Sequence, residues 1–309
     1  MPAPETLPEW LWIALTIMAA LMLALRTAAQ RHLGRTLSTD AATYVRYLFA
    51  LPLAVAWMFL LHGTFDRAFL PLTGEAMIFI SLIAAGQIFG TRFLLLALAA
   101  RNFAVGVAWS KTDVVQAAMF ELLVLGSAIS WGGAAAIALA TLGVLMMSMR
   151  GEGHPMRLML AGMREKSALY GLLSGASFAV AGVAVRGANL SLGGQEPLMP
   201  AAEALVATLA IQVVMLGAWL LWRERGSFAA IMRAWRVGLF AGATGTLASI
   251  GWFVAMAIES VAHVRTLGLV ELVFSFLIAR LFFQERATQR EIAGVAVLAS
   301  GIAVLMLGR

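Results

Sequence analysis

Lys111 and Asp113 stand two positions apart near the middle of an apolar stretch, NFAVGVAWSKTDVVQAAMFELLVLG, residues 102–126. An ionisable side chain at the centre of a bilayer costs about 2.5 to 3.5 kcal/mol on insertion scales, so it needs a partner or a wet cavity. Glu271 poses the same problem in a second apolar stretch, residues 262–283. Asp113 lies eleven residues past Asn102, about 16 Å along a helix, and Glu271 lies nine past Ala262, about 14 Å. Both depths are near a bilayer midplane, where carriers built from inverted repeats place their substrate sites.

Helical phase sorts the neighbours. At about 100° per residue, Trp109, Asp113, Gln116 and Phe120 fall within about 60° of one another. That face joins an acid, an amide and two aromatic rings. It suits a cation, or the amino group of an amphipathic solute, through ion pairing and cation–π contact. It equally suits an inter-helix hydrogen-bond cluster packed by aromatics. Lys111 lies about 200° round the helix from Asp113, so the two cannot pair on one helix. Two arrangements stay open. Either Asp113 faces a cavity and Lys111 finds a partner on a neighbouring helix, or Lys111 binds a substrate carboxylate and Asp113 partners an arginine.

Arg46, deep in its own apolar segment, is the candidate cavity cation or partner to Asp113. Arg26, Arg92 and Arg280 lie toward segment ends, where snorkelling to the interface is expected. Glu203, Arg186, His263 and Arg265 share a depth near the outer ends of their segments, as a vestibule lining or a structural network. Two small-residue stretches, GQIFGTRF at 86–93 around Gln87 and GATGTLASIGWF at 242–253, fit tight helix packing or slight unwinding during alternating access.

The elements that must position these residues follow from composition. The chain has 309 residues, 61% hydrophobic and only 12% charged, with a mean hydropathy of +0.89. A soluble fold of this length cannot hide so much apolar surface, so the class is an all-α polytopic membrane protein. With no cysteine, disulfides and thiolate chemistry are excluded. Four histidines without a carboxylate cluster at ligand spacing leave no metal or cofactor site expected. The net charge of +6 sits in short loops, which points to membrane orientation and not to nucleic acid. The N-terminus, MPAPETLPEW, lacks the basic region of a signal peptide, so the first apolar segment is expected to remain as a span.

Ten transmembrane helices are expected, at 10–31, 38–62, 74–99, 102–126, 130–149, 168–190, 199–222, 235–258, 262–283 and 288–307. The longest polar link, RGEGHPMRLMLAGMREKS, falls halfway and divides the chain into units 1–150 and 151–309 of five helices each. Basic residues concentrate in alternate loops: Arg31 and Arg35, Arg101, Arg150 to Lys166, Arg223 to Arg236, and Arg286 with Arg290. The positive-inside rule then places both termini outside. The loop bias of one half is reversed in the other, as two inverted five-helix repeats require, although ten unrelated helices would alternate too. An offset of 158 (271 − 113) superposes Asp113 on Glu271, Ser130 on Thr288, and GVLMM from Gly143 on GIAVL from Gly301.

The segment ELVFSFLIARLFFQERATQREIAGVAVLASGIAVLML, residues 271–307, resembles the C-terminal signature of EamA-like transporters of the drug/metabolite transporter superfamily. Glu271 stands at the mid-helix Glu of that pattern, Glu285-Arg286 ends the apolar run, Thr288 follows, and Gly294 and Gly301 are the spaced glycines. Leu272 replaces a proline and Gln284 a glycine. In the first half, Asp113 matches the mid-helix acid and Gly143 the second glycine, while Val114 and Ser127 depart from the pattern.

The resemblance implies a ten-helix inverted-repeat carrier with a central cavity, exporting amino acids, amines or other small metabolites. Its partners would be a small-molecule substrate and the lipid bilayer, with oligomerisation not required and a bacterial inner membrane as the setting. Candidate substrate-binding residues are Trp109, Lys111, Asp113, Gln116, Glu271, Arg46 and Gln87. A passive channel or uniporter, or an exporter of cationic drugs or amines, is the alternative on the same fold. No nucleophile–base pair or cofactor fingerprint suggests an enzyme.

Overall fold

The computed structural model describes residues 8, 10–66, 68–100, 109–125, 131–148, 166–193, 197–284 and 289–307. All regular structure among them is helical. In chain order the helices are α1 (Leu11–Leu33), α2 (Thr39–Phe65), α3 (Gly74–Ala100), α4 (Asp113–Leu125), α5 (Trp131–Ser148) and α6 (Lys166–Leu192). They continue with α7 (Leu198–Arg223), α8 (Ser227–Arg233), α9 (Trp235–Ile258), α10 (Val261–Gly268), α11 (Glu271–Leu281) and α12 (Gln289–Leu307). Lipid offers no hydrogen bonds, so long apolar runs close their backbone bonds internally as helices. Seven candidate spans among the described residues are long and apolar enough to cross a membrane: α1, α2, α3, α6, α7, α9 and the stretch Val261–Leu281. The chain is a multi-pass integral membrane protein. Residues 102–108, Gly126 and the 150–165 link fall outside the described residues, as do Ser127, Ser130 and Glu285 to Thr288.

Local signals set several helix ends. Ser38 and Ser260 precede α2 and α10 in extended conformation, and each hydroxyl accepts an amide N–H of the first turn. Lipid-facing positions stay apolar: Leu60, Ile78, Leu123, Val214 and Leu281 are exposed. Trp219, Trp222 and Trp235 gather where α7 ends and α9 begins, beside Arg223 and Arg236. That pairing of indole with cationic side chains is what a membrane–water boundary favours.

Two segments expected to be continuous helices are interrupted. The chain is helical at Trp109 and Ser110, turns at Lys111 and Thr112, and resumes as α4 at Asp113. It is helical through Gly268, turns at Leu269 and Val270, and resumes as α11 at Glu271. Each acid is therefore the first residue of a half-helix, where the macrodipole favours a negative charge. The two breaks are related by the same offset of 158 as the two acids.

Packing follows a reciprocal scheme. α3 lies on α6 and α1 on α9; α4 lies on α6 and α11 on α1; α2 lies on α9 and α7 on α3. Exchanging the halves turns the first contact of each pair into the second, while α2 with α7 and α5 with α12 map onto themselves. At one end of the bundle, Ser38 hydroxyl donates to Glu224, Arg92 pairs with Asp40 at 2.8 Å, and Arg31 lies over the Phe283 ring. At the other, Glu203 accepts the Leu70 amide N–H at 2.8 Å and pairs with His62 at 3.2 Å. The basic loops after α1 and α7 thus meet at one face.

Candidate functional site

Both helix breaks open onto one cavity. Its wall carries six ionisable side chains: Arg26 from α1, Arg46 from α2, Lys111 and Asp113 from the first break, and Arg265 and Glu271 around the second. Gln87, Ser110 and Ser249 add polar groups, and Leu23, Phe178, Trp252, Phe253 and Met256 add apolar ones.

The charges are joined across the two halves. Lys111 Nζ bonds Glu271 Oε2, and both side chains are largely buried. Arg265 Nη1 donates to Asp113 Oδ2 at 3.0 Å. Each half therefore supplies one acid and receives one cation. The acids occupy equivalent positions in the two halves, but the cations do not, since Lys111 matches Leu269 and Arg265 matches Val107 under the same offset. Arg265 is further fixed by donating from Nη2 to the Phe178 carbonyl at 3.0 Å, and its guanidinium lies 5.3 Å from the Trp252 ring centroid. Gly182 makes room for it: a Cβ there would stand 3.0 Å from Nη2.

Arg46 is held differently. Its Nη1 donates to Thr91 Oγ1 at 2.6 Å and its Nη2 to Gln87 Oε1 at 3.0 Å. Gln212 Nε2 donates to the same Gln87 oxygen at 3.3 Å, which braces the amide from the far side. Asp113 Oδ1 is buried and has no hydrogen-bond partner among the described residues. An unpartnered carboxylate oxygen at a cavity wall is an acceptor in waiting, because leaving it dry is costly.

Several sequence expectations change. Lys111 and Asp113 both reach the cavity, because the break at Lys111–Thr112 removes the continuous helical phase that set them on opposite faces. For the same reason Trp109 leaves the Asp113 face, whereas Gln116 stays one turn along α4 from Asp113. Trp109 is buried against Ala168 and Leu172, and Gln116 Nε2 donates to Thr112 Oγ1 at 3.2 Å; neither lines the cavity. Arg46 lines the cavity but does not pair with Asp113.

Arg26 does not snorkel; it is only 3% exposed and lines the cavity, whereas Arg92 and Arg280 are exposed. Arg265 parts from the outer group entirely. The rest of that group separates into Glu203 with His62, and Glu259 with His263 and Arg186, whose Nη1 donates to the Glu259 carbonyl at 2.6 Å. The signal that could have placed Arg265 was its distance from Glu271, six positions away across a two-residue turn and hence one helical turn from the break.

Residues 165–307 match the EamA-like transporter family. A crystal structure described simply as that of a protein is similar over 96% of this chain and 96% of its own, with a TM-score of 0.66 at 16% identity. A likeness at that identity speaks to the fold. No curated protein sequence matches the chain.

Proposed function

Because residues 165–307 match the EamA-like transporter family, consistent with the drug/metabolite transporter superfamily, we propose that the chain is a secondary carrier working by alternating access. It moves a small amphipathic metabolite outward, amino acids leading, through the central cavity. Its two five-helix units, 1–150 and 151–309, are inverted repeats of ten spans in all. The observation that carries this reading is the pair of crossed salt bridges, Lys111–Glu271 and Asp113–Arg265, at the breaks of two equivalent spans.

The chemistry follows from that placement. A solute entering between the halves meets acids already neutralised by cations of the opposite half. An ammonium group can bond Asp113 Oδ1 without first displacing Arg265, because that oxygen is unpartnered. A solute carboxylate inside the cavity adds a negative charge that weakens the hold of Glu271 on Lys111. Each exchange loosens a tie between the halves at little net electrostatic cost, which allows one half to rock against the other. The breaks supply hinges, since residues at helix ends absorb backbone rotation more readily than a continuous helix does. The cytoplasmic face is the one bearing the basic loops after α1 and α7, so both termini lie outside, in a bacterial inner membrane.

Counterflow tests the reading. Purified protein is first screened by thermal shift against amino acids, polyamines, nucleosides and cationic drugs, because a ligand of the folded state raises its apparent stability. The stabilising compound is then loaded unlabelled into proteoliposomes and its labelled form added outside. A carrier accumulates label transiently above equilibrium. Uptake that is indifferent to the internal compound identifies a passive pore and overturns the proposal.

A further inference from the structure

The cavity charges do not balance. Lys111 and Arg265 each have a carboxylate, but Arg26 and Arg46 form no ion pair among the described residues, so four cations line the cavity with two acids. Arg26 is the more exposed to this problem electrically and the less exposed sterically. It is 3% accessible, and among the described residues its Nε has no hydrogen-bond partner. Arg46 lines the same cavity and is 4% accessible. A buried cation without a counter-charge costs several kcal/mol in a protein interior, and two that repel cost more. Yet the fold builds a seat for each. Gly245 leaves the stem of Arg26 its place, with Cδ 3.2 Å from where a Cβ would stand, while Thr91 and the Gln87–Gln212 pair orient Arg46.

Resting on the carrier reading, we infer that Arg26 and Arg46 form an anion subsite and that the transported solute presents a carboxylate to it. The fork geometry of a guanidinium matches a carboxylate, and the charge-assisted bonds formed supply the missing counter-charge. The rest of the wall selects what the carboxylate is attached to. Leu23, Leu94, Phe178, Phe253 and Met256 give the same cavity apolar surface, which suits a carboxylate on an apolar body over a phosphate on a polyhydroxy one. A free amino acid meets the requirement, because its ammonium can reach an acid elsewhere in the cavity. A simple amine or cationic drug does not.

The test is ligand binding to the full chain in detergent at constant ionic strength, by thermal shift and equilibrium titration. The probes are leucine, 4-methylpentanoate and benzoate, each against its isosteric amide and amine, with inorganic phosphate as a separate arm. The expected result is that at least one carboxylate binds and that its amide and amine bind roughly 10- to 100-fold more weakly, the size of a lost charged hydrogen bond. Arg26→Gln should lose the same factor, and Arg26→Lys should recover part of it. An amine or amide that binds as well as its carboxylate overturns the inference, as does phosphate binding alone, or a series in which no carboxylate binds to the wild-type protein. The isostere comparison needs no variant, so it decides even if Arg26→Gln fails to fold. Carboxylate binding without counterflow would sink the carrier reading and leave the subsite standing; counterflow of an amine alone would do the reverse.

Discussion

At the scale of single residues, the crossed pairs make an unusual demand on mutagenesis. Removing one member of a buried pair strands the other charge, whereas removing both can be nearly neutral. Lys111→Met should therefore lower stability by about 3–5 kcal/mol, and the double change Lys111→Met/Glu271→Gln should recover most of that loss. Thermal unfolding in detergent measures it, and a double mutant less stable than the single one would contradict the pairing. Asp113→Asn and Glu271→Gln should insert normally and lose transport. If both transport at the wild-type rate, the two acids have no part in the mechanism.

Much of this was legible in the sequence. Intramembrane acids announce themselves by their cost; Asp113, Glu271 and Arg46 stand out on type and depth, and Gln87 by the glycines that bracket it. Arg26 and Arg265 were not, because their roles depend on which neighbour each faces. Depth suggested a snorkelling arginine and a vestibule arginine; only the packing of α1 against α9 and of α10 beside α4 turns both inward.

At the scale of elements, the breaks explain why helical phase misled. The phase argument assumes one unbroken helix from 102 to 126, and SKTD contains no proline or glycine to warn otherwise. What keeps this turn in place is outside it. Gly175 of α6 lets the backbone approach so closely that a Cβ there would stand 2.8 Å from Thr112 Oγ1 and 3.0 Å from the Ser110 carbonyl oxygen. Gly175→Val should push the turn away, displace Asp113 from Arg265, and abolish transport with the protein still inserted. Wild-type activity in that variant would show that the turn tolerates displacement.

A second local prediction concerns Gln284, which follows α11 with a φ of 53°. A side chain in the left-handed region carries a cost that glycine avoids, and the EamA-like pattern places glycine at this position. Gln284→Gly should raise stability by about 1 kcal/mol, read as an increase in Tm. A fall in Tm would mean that the Gln284 side chain contributes contacts worth more than the strain. Here the sequence did speak, since the departure from the family pattern marks the residue that the backbone strains.

At the scale of the whole molecule, the membrane class followed from composition, and eight of the ten expected segments coincide with single helices to within three residues at the ends that are described; 262–283 is covered by two helices, and 102–126 is described only from Trp109 to Leu125. The meeting of halves was not legible, because loop charge alternates in any multi-span protein and few residues match between the units. The reciprocal packing of α3 on α6 with α1 on α9 is information that only the folded chain carries. The orientation makes its own prediction: a periplasmic reporter fused after Arg309 should be active and a cytoplasmic one silent. The opposite pattern would reverse the orientation of every loop.

The central claim is that one cavity serves both faces in turn. Ser249 lines that cavity and is 7% exposed, and the chain has no cysteine to compete for a thiol reagent. Ser249→Cys can therefore be labelled with a membrane-impermeant maleimide, added outside intact cells or to the cytoplasmic face of inverted vesicles. The account predicts labelling from either side, with the stabilising ligand slowing the reaction in both settings. Labelling from one side only, whatever ligand is present, would contradict alternating access through this cavity.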